Sequence, residues 1–427
     1  MGASGKQRAN WRESSFLAIG SIGAAALTTL ASLAAIIIIL RVLPPAEAGR
    51  FALLVELLYA LGLLGTLGQA TLQARLYQQA PTRRWDWVRD LRSTIWVTFP
   101  AVGLFVAAAA IPFQLTVFEM MFLVVGAELF VLTNCLSSVL TQQRHYAWSS
   151  ALIRFPNALL LLPALLLLMD CRAFSLKLLL VSLLLFLVVT VTLGAVLLAR
   201  RMDPGTARIT LRERLSGLVF LVSLIAIIVP QRGLIVVSGA LVNAENVAAL
   251  AALLSLLRVY DLIGDPAGRV FSTELVRNPE QMHWGLIAAP WLLAAALSAG
   301  LLVGLPPLAQ HLYAGRYDSA LPLLPWLVLA SALRFVEIVP RGVLGYVAPR
   351  RTLNQFATIQ SAIAVLGLVL MVKLTADHGL HGAACSAALI AAARVICGCW
   401  FVANLPADAR DRLQVEPLQP GSEESPV

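Results

Sequence analysis

Charged residues are scarce in this sequence. Asp, Glu, Lys and Arg make up 13% of the 427 residues, whereas roughly 25% is usual in a soluble globular protein. Hydrophobic residues make up 59%, and apolar runs long enough to span a bilayer recur along the whole length. The composition therefore excludes an ordinary soluble domain and predicts a protein that crosses the membrane many times.

Cysteine, nucleotide-binding motifs and long loops are also lacking. The five cysteines have no zinc or redox spacing, and the absence of a P-loop excludes ATP hydrolysis by this chain. The longest connections, around 75–93 and 200–215, are too short to house a soluble catalytic domain. We therefore expect neither an enzyme nor a metal or organic cofactor.

The apolar runs predict twelve spans joined by short loops. Their predicted limits are 16–40, 51–73, 94–113, 116–140, 148–169, 174–199, 216–241, 246–273, 285–311, 320–347, 353–375 and 381–404. Lys and Arg concentrate in alternate loops, so the positive-inside rule places both termini in the cytoplasm. The net charge of +9 thus reflects topology in large part and does not indicate a nucleic-acid partner.

The loop at 200–215 divides the spans into two sets of six. The stretch PAEAGRFALLVELL at 45–58 aligns with NAENVAALAALLSL at 243–256, and each begins the second helix of its half. An even number of spans per half predicts parallel repeats around a central cavity. The expected parts are an N-terminal bundle at 1–199, a linker at 200–215, a C-terminal bundle at 216–404 and a disordered cytoplasmic tail at 405–427.

Several basic residues fall inside predicted spans, where one charge costs roughly 2.5–3.5 kcal/mol on insertion scales. They are Arg154, Arg232, Arg258, Arg269, Arg334, Arg341, Lys373 and Arg394. Lys373, Arg269 and Arg341 lie toward span ends, where long side chains can reach the interface. Cations outnumber acids in the spans, which favours a hydrated cationic cavity over a balanced set of structural ion pairs.

Two proline-interrupted stretches of the second half carry charges on one helix face. ALRFVEIVPRGVLGYV at 332–347 contains Arg334, Glu337 and Arg341, and LLRVYDLIGDPAGRV at 256–270 contains Arg258, Asp261, Asp265 and Arg269. Arginine suits phosphate and carboxylate groups and stays charged when desolvated, so we expect an anionic substrate. The alternative for each residue singly is a structural ion pair between helices.

Three short patterns resemble the polysaccharide (Wzx-like) flippases of the MOP (multidrug/oligosaccharidyl-lipid/polysaccharide) superfamily. They are EAGRF at 47–51, GRYDSA at 315–320 and GLHGAA at 379–384. The resemblance covers nearly the whole chain, although ENV at 245–247 departs from the expected Glu–x–Gly. It implies an all-α membrane protein of the MATE-like fold in the bacterial inner membrane. Such proteins flip an undecaprenyl-pyrophosphate-linked oligosaccharide by alternating access, for surface polysaccharide biosynthesis.

On this hypothesis the substrate pyrophosphate is bound by cavity arginines, and nearby acids orient them or bind a coupling H⁺ or Na⁺. The candidate ligands are Arg258, Arg334, Arg232, Arg341, Arg154 and Arg394, and the candidate acids are Asp261, Asp265 and Glu337. Expected partners are the lipid-linked oligosaccharide, membrane lipids and other polysaccharide-assembly proteins.

Other functions remain open. A cation or drug antiporter of the same superfamily would be expected to show acids in its cavity instead. A polysaccharide polymerase or ligase needs a catalytic centre outside the membrane, and His378 and His381 are the only outer-loop residues of that kind. A scaffold that only binds partners leaves the buried arginines unexplained.

Overall fold

The computed structural model describes residue 23 and residues 26–79, 85–142, 145–169, 175–200, 205–262 and 284–405. Within these ranges the chain is helical, and the only strand-like pairing is an isolated bridge between Trp85 and Ala207. The first half contains α1 (Ala26–Val42), α2 (Pro45–Gly65), α3 (Gln69–Gln79), α4 (Trp87–Ala110), α5 (Val117–Gln142), α6 (Tyr146–Leu159), α7 (Leu161–Leu168) and α8 (Leu176–Ala199).

A short helix, α9 (Leu211–Ser216), precedes the second half. The second half contains α10 (Val219–Leu241), α11 (Ala244–Leu257), α12 (Trp284–Tyr313), a 3₁₀ turn (Asp318–Leu323), α13 (Leu324–Val347) and α14 (Arg350–Ala403). Helical residues resume at 259–262, where the described part of the eighth span stops.

The predicted fold class is confirmed. Nine helices of the described chain are long and apolar enough to cross a membrane, and one of them, α14, contains two spans because Gly379 reverses its backbone at φ 58°. With α1 and α11 added, a described helix lies at the position of each of the twelve predicted spans, and the eighth of these is described as far as residue 262. The boundaries of the predicted bundles remain a prediction.

The second span is not continuous as predicted for 51–73. The helix breaks at 66–68, where Leu67 (φ 47°) and Gly68 (φ 76°) both take left-handed backbone conformations. A Cβ atom on Gly68 would lie 2.2 Å from the carbonyl oxygen of Gly217, just before α10. Glycine is therefore required here both by the backbone angle and by the close approach of a second chain segment.

Each half has a helix at its centre. In the first half, α5 packs against α2, α3, α4, α6 and α8, and in the second half, α14 packs against α10 and α13. The two halves meet mainly where α2 lies against α10 and α11. Small residues allow this contact, because a Cβ on Gly49 would lie 1.7 Å from the carbonyl oxygen of Ala244.

We call the end of the molecule that carries Gly49 and Ala244 the junction end. The segment 316–317 of the second half also binds the first half here. Arg316 Nη1 donates to the carbonyl oxygen of Leu43 at 2.6 Å, and the Tyr317 hydroxyl donates to that of Leu40 at 2.7 Å. Burial is the main cause that raises the pKa of the Tyr317 phenol.

The opposite end, which we call the linker end, holds α9 against the first half. A Thr210–Glu213 capping box starts α9, and Arg214 is only 3% exposed. Its guanidinium donates to Gln69 Oε1 at 3.2 Å, Thr94 Oγ1 at 3.0 Å, and both the carbonyl oxygen (3.1 Å) and Oδ1 (3.2 Å) of Asp90. Arg214 lies in a segment predicted to be a loop, yet it is a buried clamp between the linker and α3–α4.

Candidate functional site

A cluster of charges lies where the two halves face each other, roughly midway along α2. Glu56 on α2 is about 16 Å from the start of that helix, at 1.5 Å per residue. Its Oε2 accepts from Arg232 Nη1 on α10 at 2.5 Å, and its Oε1 lies 3.9 Å from Arg258 Nη2, just after α11. One carboxylate of the first half thus serves two guanidinium groups of the second half.

The remaining contacts of this central cluster come from the first half. Arg258 Nη1 lies 3.4 Å from Ser32 Oγ on α1. The guanidinium carbon of Arg232 lies 5.2 Å from the centre of the Tyr59 ring, a cation–π contact. The Tyr59 hydroxyl in turn donates to Asn157 Oδ1 on α6 at 2.7 Å, which fixes the ring.

The central cluster has unused capacity for an anion. The side chains of Arg232 and Arg258 are 27% and 26% exposed, so neither is sealed in the protein. Arg232 Nε is buried and has no hydrogen-bond acceptor among the described residues. Two cations against one acid leave a net positive charge, and guanidinium groups offer paired donors to phosphate oxygens.

Arg334 and Asp261 form a second, looser pair at the cavity of the second half. Arg334 Nη2 lies 3.7 Å from Asp261 Oδ1, and the two side chains are 29% and 56% exposed. Arg334 also lines a small cavity of about 30 Å³ between α10, α11, α13 and α14, whose other polar lining residues are Gln231 and Ser331. Asp261 follows Arg258 by three residues, so the eighth span connects this pair to the central cluster.

Arg394 and Glu337 form a third group, which is buried inside the second half. Arg394 Nη2 donates to Glu337 Oε1 at 2.6 Å, and Arg394 Nε lies 3.0 Å from Oε2. Its Nη1 donates to the carbonyl oxygen of Ala226. Pro230, four residues later, has no N–H to offer that carbonyl, so Arg394 satisfies the group that the proline leaves open.

The other predicted site residues lie elsewhere. Arg154 lies half-buried on α6, three residues before Asn157 and therefore near the same helix face. Arg341 is exposed on α13, one turn beyond Glu337 and toward the linker end. Asp265 lies outside the described residues. The structure therefore brings Arg232 and Arg258 together, places Arg334 nearby through Asp261, and separates Arg394 and Glu337 from them.

Glu56 lies in the central cluster but is not among the site residues predicted from the sequence. It is an acid in the middle of an apolar span, which is the same signal that drew attention to Asp261. Among the described residues, no group of three or more His, Cys, Asp or Glu is placed to hold a metal ion.

No protein-family model matches this sequence, and neither does any curated protein. Solved structures do match its fold. A multidrug resistance MATE family transporter of the MOP superfamily, in an inward-facing conformation, is 16% identical with a TM-score of 0.63, over 93% of this chain and 99% of that chain. A multidrug resistance MATE family transporter of the MOP superfamily in an outward-facing conformation is also 16% identical. Its TM-score is 0.59, and the alignment covers 94% of this chain and 96% of that chain.

The lipid II flippase MurJ, in an inward closed conformation, is 10% identical to this chain. The TM-score is 0.62, and the alignment covers 93% of this chain and 89% of that chain. At these identities the likeness establishes the fold alone, which this chain shares with the MATE transporter and the MurJ flippase. Together with the apolar helices, it indicates a multi-pass membrane protein.

Proposed function

We propose that this protein flips an undecaprenyl-pyrophosphate-linked oligosaccharide across the bacterial inner membrane by alternating access, in surface polysaccharide biosynthesis. The observation that carries the proposal is the shared carboxylate of Glu56. Arg232 and Arg258 both lie within 3.9 Å of this carboxylate and remain partly exposed. Two guanidinium groups against one carboxylate leave a net positive charge between the two halves. A pyrophosphate is the kind of ligand that can use both guanidinium groups at once.

Arg334 extends the proposed binding site into the cavity of the second half. Its pair with Asp261 is long and half-exposed, so an anion can replace the carboxylate at small cost. Arg154 is a further candidate on the side of the first half, and Arg341 one toward the linker end. We assign Arg394 and Glu337 to helix joining, because their charges are already satisfied inside the second half.

The test is to replace Arg232, Arg258 and Arg334 singly by Ala and to follow surface polysaccharide in cells at matched protein levels. We expect each variant to lose most of the polymer and to accumulate lipid-linked units on the cytoplasmic side. Lys373→Ala is the matched control, because Lys373 is an exposed cation on α14. Normal polymer from all three arginine variants would overturn the site, and accumulation on the outer side would favour a polymerase.

A drug or cation antiporter is the second candidate, since the MATE transporter and the flippase have nearly equal TM-scores of 0.63 and 0.62 against this chain. Asp261, with a side chain 56% exposed at the cavity, is the acid best placed to meet a cation. Drug-susceptibility assays on cells that lack or overproduce the protein separate the two functions. A changed drug tolerance with unchanged polysaccharide would favour the antiporter.

A further inference from the structure

Glu128 on α5 is a buried acid that plays no part in the proposed substrate site. It lies about 17 Å from the start of α5, at 1.5 Å per residue, and therefore deep within the span. Its exposed fraction is 7%. A carboxylate buried at that depth is costly unless a cation or several hydrogen bonds compensate it.

The contacts of Glu128 do not provide that compensation. Oε1 lies 2.8 Å from Thr98 Oγ1 on α4, and Oε2 is buried with no hydrogen-bond partner among the described residues. Glu119 on the same helix is equally buried at 7%, but Arg50 donates to both of its oxygens at 2.7 Å. Of these two acids, only Glu119 has a cation to hold it ionised.

The number of hydrogen-bond donors and acceptors around Thr98 indicates that the Glu128 carboxyl group is protonated. Thr98 Oγ1 lies within hydrogen-bond distance of two acceptors, Glu128 Oε1 at 2.8 Å and the carbonyl oxygen of Thr94 at 3.0 Å. A hydroxyl has only one hydrogen to donate. If Glu128 is protonated, its carboxyl donates to Thr98, Thr98 donates to Thr94, and both short contacts are satisfied. If Glu128 is ionised, Thr98 has only one hydrogen for two acceptors, so one of the two short contacts is not a hydrogen bond.

Among the side chains that the structure describes, the helices packed against α5 supply no counter-charge to Glu128. The titratable or charged residues of these helices and of α5 itself are Glu47, Arg50, Glu56 and Tyr59 (α2), Arg75 and Tyr77 (α3), Arg89, Asp90 and Arg92 (α4), Tyr146 and Arg154 (α6), Lys177 (α8), and Glu119 and Cys135 (α5). Within the described chain, no cation among them makes an ion pair with Glu128. Glu56 and Asp90 are already held by Arg232 and Arg214.

A row of polar side chains links Glu128 to the linker end. Asp90, Thr94 and Thr98 follow one another at intervals of four along one face of α4. Thr94 Oγ1 accepts from Gln73 Nε2 at 3.1 Å and from Arg214 Nη1 at 3.0 Å. This row is buried, and it gives the carboxyl group polar neighbours on the side of the linker.

We propose that Glu128 is a proton-binding site of the first half, protonated in this conformation, whose proton couples transport to the transmembrane proton gradient. The coupling part of this inference rests on the proposed transport function. The proton comes from water and returns to water, so no other reactant is needed. A proton is favoured over Na⁺ because only two oxygen-bearing side chains, those of Glu128 and Thr98, meet here in the described structure, fewer ligands than a buried metal cation usually takes.

The protonation state can be read directly from the purified protein. Infrared difference spectroscopy at neutral pH is expected to show the C=O stretch of a protonated carboxyl group that disappears in Glu128→Gln. Glutamine has the shape of the protonated acid, so this variant is expected to fold. Glu119→Gln, on the same helix and equally buried, is the matched control and should leave the band in place.

Thr98→Val supplies a second measurement if Glu128→Gln does not fold, because loss of the hydroxyl partner should shift the same band. The proton site is overturned if wild type and Glu128→Gln have identical spectra in this region. An unshifted band in Thr98→Val likewise contradicts the assignment.

Transport in proteoliposomes tests the coupling separately. The probe is a fluorescent undecaprenyl-pyrophosphate-linked sugar, and its flipping is compared with and without a pH gradient. We expect the gradient to accelerate flipping by the wild type, and Glu128→Gln to lose that acceleration while downhill flipping remains. Acceleration by a Na⁺ gradient alone would overturn proton coupling. Failure of the wild type to flip the probe would overturn the proposed function, while the infrared band would still report the proton.

Discussion

Two kinds of arginine lie within the helical part of this protein. The side chains of Arg214 and Arg394 are 3% and 4% exposed, and each has its own acid together with a backbone carbonyl. The side chains of Arg232 and Arg258 are far more exposed, at 27% and 26%, and they share the single acid Glu56. The guanidinium groups of the first kind already have an acid and several hydrogen-bond acceptors, and they hold helices together. Those of the second kind retain positive charge and N–H donors that a ligand can use. Burial alone therefore does not mark a binding residue, because spare capacity is also needed.

Removal of an arginine of the first kind should have the largest effect on stability. Arg394→Ala leaves Glu337 buried without a cation and reopens the carbonyl of Ala226, for a loss of about 3–5 kcal/mol. Thermal unfolding in detergent measures this loss. Arg351→Ala, at an exposed arginine on the same helix as Arg394, should change stability by less than about 0.5 kcal/mol. Equal effects of the two variants would contradict the division into two kinds of arginine.

The same pair offers a sharper test. In the double variant Arg394→Met with Glu337→Leu, neither charge of this pair remains. Replacement of a buried ion pair by apolar residues of similar volume is often neutral, so stability should largely recover. Continued destabilisation would mean that the carbonyl of Ala226 is the more important partner of Arg394.

The clamp at the linker end should be the next most sensitive. Arg214→Lys keeps the charge but cannot reach Gln69, Thr94 and Asp90 together, so we expect a loss of about 1–3 kcal/mol. Limited proteolysis within 200–215 should speed up as α9 separates from the first half. Arg212→Lys, two residues away and exposed, should cleave at the wild-type rate, and a similar change there would argue against the clamp.

An arginine with spare capacity should behave in the opposite way. Arg258→Ala should fold and express normally but should reduce flipping of the lipid-linked probe by about 10-fold or more, as expected for loss of a charged hydrogen bond worth about 1.5–3 kcal/mol. The assay is flipping in proteoliposomes, with Lys373→Ala as control. If the main defect is instead unfolding, Arg258 belongs with Arg394.

The smallest effect on stability is expected at the long pair of Arg334 and Asp261. Asp261→Asn should change the free energy of unfolding by less than about 1 kcal/mol, because the pair is exposed to solvent. The substitution releases Arg334, so binding of inorganic pyrophosphate should become a few-fold tighter in calorimetry. Asp377→Asn, an exposed acid on α14, is the control. Weaker binding would show that Asp261 positions Arg334 for its ligand.

The sequence predicted the helices well because apolar length and loop charge are local properties of the chain. It also drew attention to the arginines within the spans, since a charge in a span is conspicuous wherever it lies; that they bind substrate stays a prediction. It could not assign their partners. Glu56 and Arg232 are separated by 176 positions, and Arg394 meets a carbonyl that only the position of Pro230 leaves open. Arg214 was counted as a loop cation, because nothing local distinguishes it from Arg212.

The close contact at Gly49 and Ala244 determines how far different parts of α2 can travel. If the halves rotate about this point by about 15°, the carboxylate of Glu56, about 10 Å along the helix, moves by only about 3 Å. The break after Gly65, about 24 Å away, moves by about 6 Å in the same rotation. The charged centre then lies close to the point of rotation and moves little, whereas the linker end lies far from it and moves more. A small adjustment among Glu56, Arg232 and Arg258 corresponds to a wide opening where the chain binds α9.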